Sequence, residues 1–129
     1  MTNCMQPLSV ANLKYLLVLR ELDRDGKGVR CVDVAETLGI TKPSVHSMMG
    51  TLQQMELVEK SRYGVVRFTP DGRELADRYA GCLDIIGRHL GSLLPQETDV
   101  RTVSCALAAQ LSIGALEQMC GKLTAAAAS

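Results

Sequence analysis

The sequence predicts a mainly α-helical chain interrupted by one short β-hairpin. Three observations carry that expectation. Apolar residues recur at helical spacing through most of the 129 residues. β-rich text occurs as one pair of runs, Leu57-Val58-Glu59-Lys60-Ser61 and Val65-Val66-Arg67-Phe68, around the tight Arg62-Tyr63-Gly64. Helix-start and helix-stop chemistry punctuates the remainder, at Gly39, Thr41-Lys42-Pro43, Thr69-Pro70, Pro95 and Ser112.

Taken in order, residues 1–7 read as a loose leader. From Leu8 onward, Leu13, Leu16, Leu17, Val18, Leu19 and Leu22 form a helical stripe broad enough for burial on more than one side. It ends near Arg24, because Asp25-Gly26-Lys27-Gly28 is turn chemistry. Cys31, Val34, Ala35 and Leu38 space as a two-turn helix that Gly39 ends in the left-handed conformation. Thr41 caps the next helix, with Pro43 in the first turn where its missing N–H costs nothing. Val45, Met48, Met49 and Leu52 face inward along that helix to about Met55. Beyond the hairpin, Thr69-Pro70 opens a fourth helix running to about Leu93. Its Leu75, Tyr79, Cys82, Ile86, Leu90 and Leu93 step by four, three, four, four and three, a sustained apolar seam that Pro95 stops. A fifth helix over 99–111 carries Val100, Val103, Leu107 and Leu111 on one face, and a sixth, capped by Ser112, carries Ile113, Leu116, Cys120 and Leu123. The tail from Ala125 to Ser129 is of low complexity, and no internal repeat is present.

Composition narrows the function classes. Apolar residues at 47% and charges at 22% exclude intrinsic disorder. The stretch Thr102–Leu116 has no charge, but at 15 residues broken by Ser104, Gln110 and Ser112 it does not span a bilayer. The first thirteen residues lack the basic start and apolar run of a secretory signal. Five irregularly spaced cysteines fit reduced thiols in the cytosol, so the expected location is cytoplasmic and no membrane partner is expected. The zero net charge conceals a split: residues 1–73 hold ten basic and eight acidic residues, and 74–129 hold four and six. With no Trp and one Phe there is no platform for base stacking. Two histidines on separate helices, no nucleophile motif and no glycine-rich phosphate loop leave no candidate catalytic site, so no enzyme is expected.

Helix, short helix, glycine turn, capped helix and hairpin is the winged helix-turn-helix order. The expected fold is therefore a winged helix-turn-helix head over residues 8–69 followed by a helical dimerisation domain over 70–129. The exposed first turn of the helix beginning at Thr41 suits a major groove, with Thr41, Lys42, Ser44 and Ser47 as its contacts. The hairpin presents Lys60, Arg62, Tyr63 and Arg67 as a wing. Arg30 and Lys60 are expected on phosphates, so affinity for double-stranded DNA falls steeply with salt. His46 is open between a base or phosphate contact and solvent beside the groove. Gly81, Gly87 and Gly91 inside the long helix let two helices approach closely. They suggest a homodimer with Leu75, Tyr79, Cys82, Ile86 and Leu90 at its interface, matched to a palindromic operator.

Gly28-Val29-Arg30, Asp33-Val34-Ala35 and Leu38-Gly39-Ile40-Thr41-Lys42-Pro43-Ser44-Val45 resemble the diphtheria-toxin-repressor family. Leu57-Val58-Glu59, Tyr63-Gly64-Val65 and Phe68-Thr69-Pro70-Asp71-Gly72-Arg73 continue the resemblance, over about residues 13–94 and in register over 99–123. It implies a dimeric iron- or manganese-responsive repressor of the short architecture, with a metal site between the first, fourth and fifth helices. In this chain the implied ligand positions fall on Lys14, Leu17, Gly81, Cys105, Ala108 and Ala109. Of these only Cys105 keeps a ligating group suited to Mn²⁺ or Fe²⁺, so the family's metal switch is expected to be lost and no cofactor is expected. Cys82 and His89 lie two turns apart on one helix, about 10 Å, too far to share one ion with Cys105 in its place. Two other regulatory readings stand beside this one: a small-molecule- or redox-responsive winged-helix regulator, and a protein-interaction module that no longer binds DNA.

Overall fold

A computed structural model describes residues 8–61 and 63–128. The elements run α1 (Val10–Leu22), β1 (Val29–Arg30), α2 (Cys31–Leu38), α3 (Lys42–Gln54), β2 (Val58–Lys60), β3 (Val65–Phe68), α4 (Pro70–Gly91), α5 (Val100–Ala109) and α6 (Ile113–Ala128). The described residues divide into two compact units, Tyr15–Asp77 and the remainder. Each has its own core.

In the unit Tyr15–Asp77, the broad α1 stripe is buried as its width predicts, through Leu16, Leu17, Val18 and Leu19. Leu22, at the end of that stripe, is exposed, and the buried residue there is Asp23. At the end of α2, Gly39 takes φ 69°, the left-handed region that glycine adopts without a Cβ clash, and Ile40 N–H closes on Ala35 C=O at 3.1 Å. Thr41 then caps α3, its hydroxyl oxygen accepting from Ser44 N–H at 3.3 Å, with proline in the first turn. Val45, Met49 and Leu52 are fully buried along α3, while Met48, expected inward, is only half-buried. The hairpin forms, but the sheet has three antiparallel strands in the order β1-β3-β2. Val29 pairs with Val66 and Arg30 with Val65, while Val58, Glu59 and Lys60 face Phe68, Arg67 and Val66. The additional strand β1 is two residues long and has no periodicity to announce it.

In the helical unit, Tyr79, Cys82, Leu83 and Ile86 of α4 are buried, as are Ile113, Leu116 and Cys120 of α6. This corrects the expected dimer interface. Leu75, Tyr79, Cys82 and Ile86 are 2–5% exposed within their own chain, and Leu90 is half-buried. Four of those five side chains are core residues of the protomer and offer no surface to a second copy. Helix α5 also departs from expectation. Its buried residues are the small Ser104, Cys105 and Ala108, whereas Val103 and Leu107 are 37% exposed. Of the three glycines, a Cβ at Gly81 or Gly91 meets nothing within 4 Å, while one at Gly87 would stand 3.9 Å from Val100 Cγ1 and Ser104 Oγ of α5. Helix α6 continues through Ala128, so the low-complexity alanines extend the helix.

Arg78 grips Glu117 with two hydrogen bonds, Nε to Oε2 at 2.9 Å and Nη2 to Oε1 at 2.7 Å, joining α4 to α6. That pairing holds the Glu117 carboxyl below its usual value of 4.5. A depressed carboxylate contributes stability above its unfolded value and loses it as pH falls through the folded one. Acid unfolding monitored by circular dichroism is therefore expected to show stability declining as pH drops below about 4.5, with Glu117→Gln flattening the decline. An unchanged acid profile in that variant would show that the pair contributes nothing.

Candidate nucleic-acid interface

The site is built on two local features of the unit Tyr15–Asp77. The first is the N-terminal turn of α3. Burial of Val45, Met49 and Leu52 fixes which way the helix faces, leaving Thr41, Lys42, Ser44, His46 and Ser47 exposed. The Thr41 hydroxyl is engaged in the cap and also donates to Ser44 Oγ at 3.0 Å, so this end of the helix arrives ordered. Its leading N–H groups and the helix dipole favour an anion there.

The second feature is the wing. Ser61 shapes its turn, the hydroxyl oxygen accepting from Tyr63 N–H and Val65 N–H, each at 3.3 Å. Ser61 N–H also reaches Val65 C=O at 2.8 Å. Tyr63 is thereby held out at the tip, 88% exposed. Arg62 lies outside the described residues. Arg67 is turned elsewhere, its Nε–H donating to Lys27 C=O at 3.2 Å.

Between these features lies a cleft of about 210 Å³ lined by Arg30, Cys31, Val32, Lys42, His46, Tyr63 and Gly64. It brings together Arg30, Lys42 and Tyr63 of the expected contacts. Cys31 N–H donates to Gly64 C=O at 3.0 Å, which joins the start of α2 to the wing turn. Burial pushes the Cys31 thiol up, against a smaller opposing pull from the Lys60 ammonium. Lys60 Nζ lies 2.7 Å from His46 Nδ1, a contact between wing and α3 that neither residue's sequence context announces. Arg30 keeps a long contact of 3.9 Å to Asp33 and stays exposed.

The implied metal positions can be tested by their donor chemistry. Cys105 and Ala108 are fully buried, and Gly81 is exposed. Burial pushes the Cys105 thiol up despite Arg101 and Lys14, favouring the protonated form rather than the ligating thiolate. Lys14, Leu17, Gly81, Ala108 and Ala109 bring no carboxylate, imidazole or thiolate. Among the described residues no three His, Cys, Asp or Glu side chains converge as an ion would require. The donor set does not fit Mn²⁺ or Fe²⁺. Cys82 and Cys120 face one another across α4 and α6, with Cys120 Sγ–H donating to Cys82 C=O at 3.5 Å. The Cys82 thiol is pushed up to about 12 by burial and by Cys120. No helix among the described residues is long and apolar enough to cross a membrane.

Residues 13–62 match the IclR helix-turn-helix domain, a span from α1 into the wing. No curated protein matches the chain in sequence. Among solved structures, a hypothetical protein from Sulfolobus solfataricus is similar at 24% identity and a TM-score of 0.57, over 89% of this chain and 91% of that one. IdeR of T. acidophilum is similar at 19% identity and 0.63, over 87% of this chain and 53% of its own. The manganese regulator SloR is similar at 20% identity and 0.67, over 89% and 54%. The chain thus spans about half the length of those two proteins. At these identities the likeness is one of fold. Together with the matched helix-turn-helix domain, it describes a winged helix-turn-helix head followed by a helical domain.

Proposed function

We propose that the chain is a transcriptional repressor that acts by binding, not catalysis. In this reading a cytoplasmic homodimer occludes a palindromic DNA site, and neither Mn²⁺ nor Fe²⁺ switches it. The observation that carries the reading is the convergence of Arg30, Lys42 and Tyr63 on one cleft beside the exposed, capped start of α3. Thr41, Ser44 and Ser47 complete the helix contacts, while Lys60 and Arg62 extend the wing contacts along the backbone. Independence from metal is supported by the donor set at the six implied positions, which leaves one buried thiol. Homodimerisation is supported by Val103 and Leu107, one turn apart on α5 and each 37% exposed, an apolar surface that a second copy would cover. Two heads on a two-fold axis then meet two half-sites.

Selection of genomic fragments by the reduced protein tests the reading, with chelator in one arm and Mn²⁺ or Fe²⁺ in another. Enrichment of a palindrome with chelator present is the expected result. Enrichment only with metal would overturn the metal-independent mechanism, and no enrichment in any arm would favour a protein-interaction module. On an enriched duplex, Arg30→Ala with Lys42→Ala is expected to weaken binding at least tenfold. The slope of log affinity against log salt should fall by about one, for the phosphate left without Arg30, while the loss of Lys42 from the groove adds to the weakening. Unchanged affinity would remove this cleft from the interface. Leu107→Lys is expected to halve the mass seen by light scattering, and an unchanged mass would move the dimer contact off α5.

A further inference from the structure

We propose that His46 reads an acceptor edge of a base, guanine by preference, and that Lys60 fixes the ring tautomer in which it does so. The inference rests on the DNA-binding reading and extends it to a residue that determines sequence preference. Lys60 Nζ lies 2.7 Å from His46 Nδ1 across fourteen residues of chain. An ammonium has three donors and no acceptor, so Nδ1 is the acceptor in this contact and carries no proton. The neutral ring therefore holds its proton on Nε2. That leaves one N–H donor on the ring edge opposite the lysine.

The position of the ring gives this donor a use. His46 follows Lys42 by one turn on the exposed face of α3 and lines the same cleft as Arg30, Lys42 and Tyr63. Lys60 comes from β2 in the wing, so a wing residue decides what the helix presents. The lysine keeps its other donors for a phosphate. In the major groove a lone N–H donor is accepted by guanine N7 and O6, adenine N7 or thymine O4, and is opposed by the amino groups of cytosine and adenine. Guanine alone offers two acceptors side by side on that edge with no donor between them.

Two measurements test this. Ring ¹⁵N chemical shifts of His46 in the DNA-free protein are expected to show the Nε2–H tautomer, and a shift of population toward Nδ1–H in Lys60→Met. Competition binding then compares the selected duplex with its single-position variants. His46→Ala should lose about tenfold of the preference for guanine over cytosine at one position of each half-site. The salt slope should stay unchanged, and His46→Gln, whose amide nitrogen donates at similar reach, should recover part of the preference. Lys60→Met weakens binding to every duplex and also lowers the preference at that same position. In the double variant the preference should fall no further than in His46→Ala. An Nδ1–H tautomer in the wild-type protein overturns the proposal, as does an unchanged base preference in His46→Ala or additive losses in the double variant. A wild-type protein that binds no duplex while showing the expected tautomer overturns the DNA-binding reading itself, and the base-reading role with it.

Discussion

Gly72→Ala is expected to lower unfolding stability by about 3 kcal/mol or more, a size reserved for direct backbone overlap. A Cβ on Gly72 would overlap the carbonyl oxygen of Leu57 and stand 2.7 Å from its carbonyl carbon and 3.0 Å from its Cα. These are backbone atoms, so no rotamer change relieves the clash. The approach is close because α4 begins by docking on the segment before β2. Thr69 N–H donates to that same Leu57 carbonyl at 3.1 Å, and the Thr69 hydroxyl donates to Glu56 C=O at 2.8 Å. Gly72 N–H in turn donates to Thr69 Oγ1 at 2.9 Å. Separating the two segments to admit a methyl group strains the two bonds from Thr69 that join them and shifts the strand that carries Lys60. Gly81→Ala, in the same helix, is the control. Nothing lies within 4 Å of its added Cβ, so helix propensity alone acts and stability should rise by up to about 1 kcal/mol. Urea midpoints decide the matter, and equal midpoints for the two variants would show that the α4 docking contact is not as tight as described.

Gly72 also marks what a sequence can and cannot convey. Its place in Thr69-Pro70-Asp71-Gly72 signals a helix start, but nothing local announces Leu57 overhead. Features that depend on neighbours in sequence were legible: the Gly39 turn, the Thr41 cap, the hairpin strands and the buried stripe of α3 each rest on contacts a few residues long. The apolar seam of α4 was legible as a buried face, but periodicity says that a face is covered and not what covers it. The cover is this chain's own core, so Tyr79, Cys82 and Ile86 are not the dimer contacts their spacing suggested. On α5 the bulkiest apolar side chains were the wrong guide. Close packing selected Ser104, Cys105 and Ala108, and left Val103 and Leu107 outside. The candidate site shows the same division. Exposure of Lys42, Ser44 and Ser47 followed from the α3 stripe, whereas the His46–Lys60 contact joins residues whose nearness only the folded wing creates.

Asp23→Ala is expected to cost about 2 kcal/mol, because it removes a buried carboxylate that serves a backbone N–H and a guanidinium, the latter 36% exposed and able to turn to water. The Asp23 side chain is 3% exposed. One carboxylate oxygen accepts from Arg73 Nη2 at 3.0 Å and the other from Gly28 N–H at 3.2 Å. Three parts of the head meet there: the end of α1, the turn that leads into β1, and the first turns of α4. Arg73 is further placed by Phe68, whose ring centroid lies 4.9 Å from the guanidinium carbon. Asp23→Asn retains an acceptor for Gly28 but turns an amide or a weaker acceptor toward Arg73, so its loss should be smaller than that of alanine. Stability is then ordered wild type, Asp23→Asn, Asp23→Ala, and a wild-type midpoint in the asparagine variant would show that the charge itself contributes nothing. The functional consequence follows from β1. Gly28 precedes Val29 and Arg30, which pair with Val66 and Val65 and hold Arg30 at the cleft. Freeing the turn loosens that strand before the head unfolds, so DNA affinity measured by fluorescence anisotropy should fall in Asp23→Ala at temperatures where circular dichroism still reports a folded chain. Full affinity in a destabilised but folded Asp23→Ala would mean that β1 keeps its register without the carboxylate, and that Arg30 is positioned by its pairing with β3 alone.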